Sequence, residues 1–343
     1  MSVTQSQIAR KLGVDQRTVS IALGASGRVS EKMRQRVRET ATRMGYRPNH
    51  LAAGLRGAKT NSIGIIWLFA DAWAGDANIA LNLLQHAQNN GMQVYQAQLP
   101  DADELIVKQI DEMLDRRVDG LIIQGSRRQL TSPIVAEKLA QAPMVIGVCP
   151  EPLDDFPGDL VLYDRMQAIE QVVDHFAATG RKKPMFCINM NQEHNPPKFQ
   201  TFAKRCQMHG MVHPDMLMEI GSLGSAVEYG PRHAKMLEMM FPNNKILLDS
   251  VDSIFTFNDI GAIFLMRVLQ DRQIKIPEQI AVVGFNDIEV GHVWKPALAT
   301  GNRKREELSN LLKQMLDTRL ENLNLPYRRE TVHMQFIHRE SAG

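Results

Sequence analysis

The chain has 343 residues, is 44% hydrophobic, 23% charged and has a net charge of +2. This supports two or three packed domains, and no run approaches the ~18 apolar residues that a membrane-spanning helix needs. The net charge hides an asymmetry: residues 1–60 hold 12 Lys/Arg and 3 Asp/Glu (+9), and the remainder holds 28 and 35 (−7). A compact basic module on an acidic body points to a polyanion partner for the module alone. The start, MSVTQSQIARKLG, has no apolar signal core, so a cytoplasmic, nucleoid-associated protein is expected. Cys149, Cys187 and Cys206 are odd in number and widely spaced, which suits neither a disulfide frame nor a zinc site.

The basic module reads as three short helices. Thr4 with Gln7 forms a capping-box pattern, Ile8, Ala9 and Leu12 share one helical face, and Gly13 terminates. Asp15 is a second N-cap, and a helix over about 16–23 turns Val19, Ala22 and Leu23 inward and Gln16, Arg17, Ser20 and Ile21 outward. Ser30 caps a third helix with Met33, Val37, Ala41 and Met44 inward and Gly45 as its stop. Two helices joined by a tight glycine turn, with a third behind, make a helix-turn-helix, whose second helix enters the major groove. Arg17 suits guanine O6/N7 and Gln16 suits adenine. Thr4, Ser6, Ser30 and the third-helix arginines suit phosphate contacts, which set register without reading sequence.

The run from Val3 to Ile66 resembles the N-terminus of the lactose-repressor/galactose-repressor (LacI/GalR) family. It carries IA-x-x-x-GV-x-x-x-TVS, VS-x-x-x-R, GYRPN and TNSIGII. The resemblance implies a helix-turn-helix domain at 1–48 and a hinge helix and linker at 49–61. The hinge helix folds in the minor groove and wedges a leucine between base pairs; Leu55 holds that position, one turn after Ala52. The DNA-binding set is then Thr4, Gln5, Ser6, Gln16, Arg17, Ser20, Ile21, Arg28, Ser30, Asn49, Ala52, Leu55 and Arg56. Ile21 and Gly24 depart from the family's frequent Arg and Asn, so the operator sequence is expected to differ from the common family pattern.

From Ser62 onward short apolar runs alternate with helical stretches. Strands are expected at 63–69, 92–97, 119–125, 144–148, 159–164, 184–189, 253–259 and 280–286. Near-continuous apolar strands separated by helices mean parallel sheets covered on both faces, with ligands beyond the carboxyl ends of the strands. The resemblance continues here, in SIFTFNDIGAIFLMRVLQDRQIKIPEQIAVVGFND, KPALAT and IHRES. It implies a core at 62–343 with a periplasmic-binding-protein-like fold: two α/β lobes, the first about 62–160 and 289–320, the second about 161–288 and 321–340. The effector residues it implies are Trp73, Asp164, Lys198, Asn258 and Asn286, with Lys198 standing where the family usually has arginine.

No phosphate-loop, dinucleotide or serine-elbow motif is present, and no cofactor is expected. His209 and His213 are separated by Gly210, and Glu193 and His194 sit in a polar loop, so neither pair reads as a metal or acid–base site. The sequence thus predicts a helical headpiece on an α/β core: a homodimeric repressor of double-stranded operator DNA, switched by a small molecule, a sugar or other metabolite. The competing reading within this class is a constitutive regulator whose core answers to a non-sugar ligand or a protein partner. An enzyme lacks a catalytic constellation here, and a transport component lacks a leader.

Overall fold

The computed structural model describes residues 3–23, 28–46, 60–68, 75–188, 195–212, 217–219, 235, 237–256 and 258–343. The chain divides into two compact units, Met1–Thr60 and Asn61–Gly343.

The first unit contains α1 (Gln5–Leu12), α2 (Gln16–Leu23) and α3 (Glu31–Met44). The Thr4 hydroxyl accepts from the Gln7 amide and the Gln7 side chain accepts from the Thr4 amide, so the capping box is complete. Gly13 and Gly45 end α1 and α3 at φ 67° and 69°, where a Cβ would be strained. Ile8, Ala9, Val19, Ala22, Val37 and Ala41 form the buried centre, with Leu12, Leu23, Met33 and Met44 packed on it.

The second unit has two six-stranded sheets. The first contains β1 (Ser62–Trp67), β2 (Gln93–Gln98), β3 (Gly120–Gln124), β4 (Val145–Cys149), β5 (Asp159–Asp164) and β11 (Arg329–His333), in the order β11-β5-β4-β3-β1-β2. All its pairings are parallel. The second contains β6 (Pro184–Ile188), β7 (Leu217–Glu219), β8 (Ser253–Thr256), β9 (Ala281–Phe285), β10 (Ala299–Asn302) and β12 (Gln335–Ile337). Its order is β12-β10-β9-β8-β6-β7, with β12 alone antiparallel.

Each sheet has the doubly wound 2-1-3-4-5 pattern with one added edge strand, which puts a topological switch point at the carboxyl ends. Helices α4 (Gly75–Asn89), α5 (Asp103–Asp115), α6 (Arg127–Thr131) and α7 (Pro133–Leu139) follow strands of the first sheet. Those after strands of the second sheet are α9 (Asn195–Met208), α10 (Asn244–Ser250), α11 (Asp259–Asp271) and α12 (Glu289–Val293), while α8 (Met166–Ala178) and α13 (Arg305–Glu321) follow crossovers. One apolar cluster runs from Ile63 and Ile146 through Tyr163 and Val332 to Phe186 and Phe255, joining the lobes into one packed body. Separate clusters fill the outer face of each sheet.

The strand pairing corrects the lobe boundaries expected from sequence. Residues 161–164 complete β5 and 329–333 form β11, both in the first sheet, whereas 299–302 form β10 in the second. The crossovers therefore fall near 165, 303 and 334. The physical reason is register: β10 pairs Ala299 with Val283, and β11 pairs Arg329 with Leu160, so each strand belongs with its ladder partner. The α13 helix does return to the first lobe, packing on α4.

Candidate functional site

In the headpiece, burying Val19 and Ala22 forces the opposite face of α2 outward, and Gln16 and Arg17 are exposed at its N-terminal end. The Ser6 hydroxyl donates to Gln16 Oε1 at 3.1 Å, which ties the start of α1 to the start of α2 and orients the Gln16 amide. Ser20 and Ile21 are half-buried on the same helix. Arg28 and Ser30 are exposed, and the Ser30 hydroxyl accepts from the Met33 amide. Gln5 has an enclosed Oε1 without a hydrogen-bond partner.

Sequence reasoning grouped all third-helix arginines with phosphate contacts, and Arg34 is different. Its Nη1 donates to the carbonyls of Ile21 and Ala22, both at 3.4 Å, satisfying orphan acceptors at the C-terminal end of α2. Arg36, Arg38 and Arg43 remain exposed. Asn49, Ala52, Leu55 and Arg56 lie outside the described residues, as does Trp73 in the core.

The four described effector candidates all sit at carboxyl ends of strands. Asp164 closes β5: its Oδ1 accepts from the Met166 amide at 2.9 Å and its Oδ2 pairs with His333 Nδ1 at 3.1 Å, across two crossovers. Lys198, in α9 after β6, is 6% exposed. Asn258 accepts from the Gly261 amide at 2.7 Å and so caps α11. Asn286 follows β9 at φ 112°, and Asp287 follows at φ 56°; strained backbone of this kind gathers at functional sites. Asp164, Asn258 and Asn286 are not hydrogen-bonded to one another.

Two carboxyls fix the joint around Asn286. Asp259 is buried against β9, so close that a Cβ at Gly284 would lie 2.1 Å from its Oδ1. Burial pushes its pKa up to about 6, against hydrogen bonds from the Thr300 hydroxyl and the Ile288 amide. At Asp287 burial also acts upward, but hydrogen bonds from Arg339, His292 and Asn302 outweigh it and hold the carboxyl below its ordinary value. Arg305 donates to the Asp287 carbonyl at 2.9 Å and to the Asn286 carbonyl, clamping the second crossover onto this turn.

Sequence reasoning missed an arginine pair. Arg165, directly after β5, is 6% exposed. Its guanidinium lies 5.0 Å from the centre of the Tyr163 ring and donates to the Tyr163 hydroxyl at 3.2 Å. Arg303, at the second crossover, lies 5.4 Å from the same ring. The available signal was an arginine immediately following a buried strand. The thiol of Cys149, at the end of β4, is pushed up to about 12 by burial, against the pull of Arg165 and Arg127. Among the described residues no group of His, Cys, Asp and Glu could hold a metal ion, and no helix is long and apolar enough to cross a membrane.

With this geometry in view, the comparisons with known proteins agree along the chain. Residues 4–49 match the model of bacterial regulatory proteins of the lacI family, and 173–342 match that of a periplasmic binding protein-like domain. The HTH-type transcriptional regulator DegA of Bacillus subtilis is 24% identical over 306 residues, covering 88% of this chain and 86% of that protein. The ribose operon repressor of Escherichia coli is 21% identical over 341 residues, covering 99% of each. Among solved structures, the lac repressor dimer bound to operator and the anti-inducer ONPF superposes with a TM-score of 0.81 at 19% identity, covering 99% of both chains, which establishes the shared fold. The headpiece and the core thus arrive at one answer: a lacI-family helix-turn-helix domain joined to a periplasmic binding protein-like domain, in a chain whose relatives are HTH-type transcriptional regulators and repressors.

Proposed function

We propose that this protein is a homodimeric repressor that binds a pseudo-palindromic operator and releases or grips it according to a small molecule held between the lobes of its core. The observation that carries the reading is the exposed start of α2, with Gln16 and Arg17 outward and Ser6 bracing Gln16, in a segment of net charge +9. Arg17 reads guanine and Gln16 reads adenine in the major groove. Thr4, Ser6, Arg28 and Ser30 hold the phosphates, and Leu55 wedges the minor groove.

The solved relatives support the partners. One is a lac repressor dimer on its operator, one is a CelR–cellobiose complex and one, from Enterococcus faecium, holds ribose. Asp164, Lys198, Asn258, Asn286 and Trp73 line the effector cleft. The protein is a regulator rather than an enzyme, works in the cytoplasm and needs no cofactor. An effector shifts DNA affinity only through unequal affinity for two core conformations.

A gel-shift titration tests the reading. Deleting residues 1–58 abolishes operator binding and leaves a folded dimeric core, and Leu55→Ala weakens specific binding with little change in fold. A truncated core that still binds the operator specifically refutes it.

A further inference from the structure

The helix α2 is short. It has eight residues, Gln16–Leu23, and a helix of that length is marginal unless tertiary contacts hold it. Polar ties reach it at both ends. At its start the Ser6 hydroxyl of α1 donates to Gln16 Oε1 at 3.1 Å. At its end Arg34, from the first turn of α3, donates through Nη1 to the carbonyls of Ile21 and Ala22, both at 3.4 Å. Those carbonyls belong to the last turn of α2, which the helix itself leaves without donors. A cation there also meets the negative end of the helix dipole.

Arg34 differs from the other third-helix arginines in where its charge sits. Its side chain is 16% exposed, with Nε 3.8 Å from Glu31 Oε2, whereas Arg36, Arg38 and Arg43 are exposed. A phosphate contact needs a guanidinium at the surface, and this one is turned inward onto α2. The leverage of that contact is large. An eight-residue helix is about 12 Å long, so pivoting it by roughly 10° about its C-terminal end carries Gln16 and Arg17 about 2 Å, well beyond the ~0.5 Å spread of good hydrogen-bond lengths.

We propose that Arg34 is a positioning residue for sequence recognition: by holding the C-terminal carbonyls of α2 it sets the angle at which Gln16 and Arg17 meet the bases, and it takes no part in phosphate binding. This rests on reading α2 as the major-groove helix and names what fixes the angle of that helix. The two roles separate physically. A phosphate contact adds affinity to every duplex and contributes about one to the salt slope. A positioning contact adds affinity only to the duplex whose base edges fit, and it leaves the slope alone.

The test is fluorescence anisotropy of the full chain over a salt series, on the duplex it enriches from a random-sequence pool and on a scrambled duplex of equal length. Arg34→Gln should weaken the enriched duplex about tenfold, the order of one base-edge pair. The scrambled duplex should stay within about twofold and the salt slope should not move. Arg38→Ala, by contrast, should weaken both duplexes alike and lower the slope by about one. Repeat selection with Arg34→Gln should relax the positions read by Gln16 and by Arg17 together, because both side chains ride on the same helix. Should Arg34→Gln lose headpiece helix, Arg34→Lys keeps the charge, but its shorter stem moves the donor off the two carbonyls. Its ratio of enriched to scrambled affinity should still fall at full slope. The proposal is overturned if Arg34→Gln weakens both duplexes alike with a lower slope, which marks a phosphate contact, or if the folded Arg34 variants keep the wild-type ratio. A wild-type chain that prefers no duplex discards the regulator reading and this assignment with it. A wild-type preference that survives in the Arg34 variants discards the assignment alone.

Discussion

The headpiece and the core use charge in opposite ways. The headpiece keeps Gln16, Arg17, Arg28, Arg36, Arg38 and Arg43 at its surface around a centre of six buried apolar side chains. These arginines face water, where they can meet phosphate. Among the described residues the core keeps five charges inside, of which Asp159 and Arg319 neutralise each other and Asp259 is held by Thr300 and Ile288. Surface charge steers and binds a polyanion without burdening the fold, whereas buried charge fixes geometry or selects a ligand. Perturbing a charge in the headpiece should therefore change DNA binding, and perturbing one in the core should change stability or ligand response.

The largest expected effect is at the paired end of β5. Arg319→Met strands Asp159, which is 1% exposed, and removes donors from the carbonyls of Leu323, Leu325 and Pro326. Breaking a buried pair costs about 3–5 kcal/mol, and urea unfolding should show it with operator contacts intact. Asp259 comes next. Its folded pKa, about 6, lies above the ordinary 3.8, so its contribution is fully present below the ordinary value and is lost as pH rises through about 6. That loss is at most about 3 kcal/mol, and Asp259→Asn should flatten the core's stability between about pH 4 and 6 in melts across that range.

In the headpiece, Arg17→Ala should cost about 1–3 kcal/mol of operator affinity and relax preference at one base position per half-site, with the melting temperature unmoved. Arg38→Ala should weaken all duplexes alike and reduce the salt slope by about one. The smallest effect is loss of the Thr4 cap. Thr4→Ala should cost about 1 kcal/mol, visible in headpiece unfolding because so small a centre has little else to hold α1.

Much of this architecture is legible in the residues. The capping box at Thr4, the stops at Gly13 and Gly45 and the inward face of α2 follow from local rules that the tertiary fold does not override. The apolar strands β1, β3, β4, β6, β8 and β9 announce themselves by near-continuous runs of apolar residues. The strands β7, β10, β11 and β12 do not: they are LME, ATGN, RETVH and QFI, too short or too polar to read as strands. Missing β10 and β11 displaced the lobe boundaries. Arg34 looked like a phosphate ligand because its contact with α2 is set by tertiary packing. Arg165 escaped notice because a lone arginine after a strand resembles a solvated loop residue until its burial is seen.

The most direct test of the central claim is selection of duplexes by the full chain from a random-sequence pool. The account predicts enrichment of a pseudo-palindrome whose half-sites lie about one helical turn apart, lost on deletion of residues 1–58 and relaxed at one position per half-site by Arg17→Ala. No enrichment, or enrichment that survives the deletion, would contradict it.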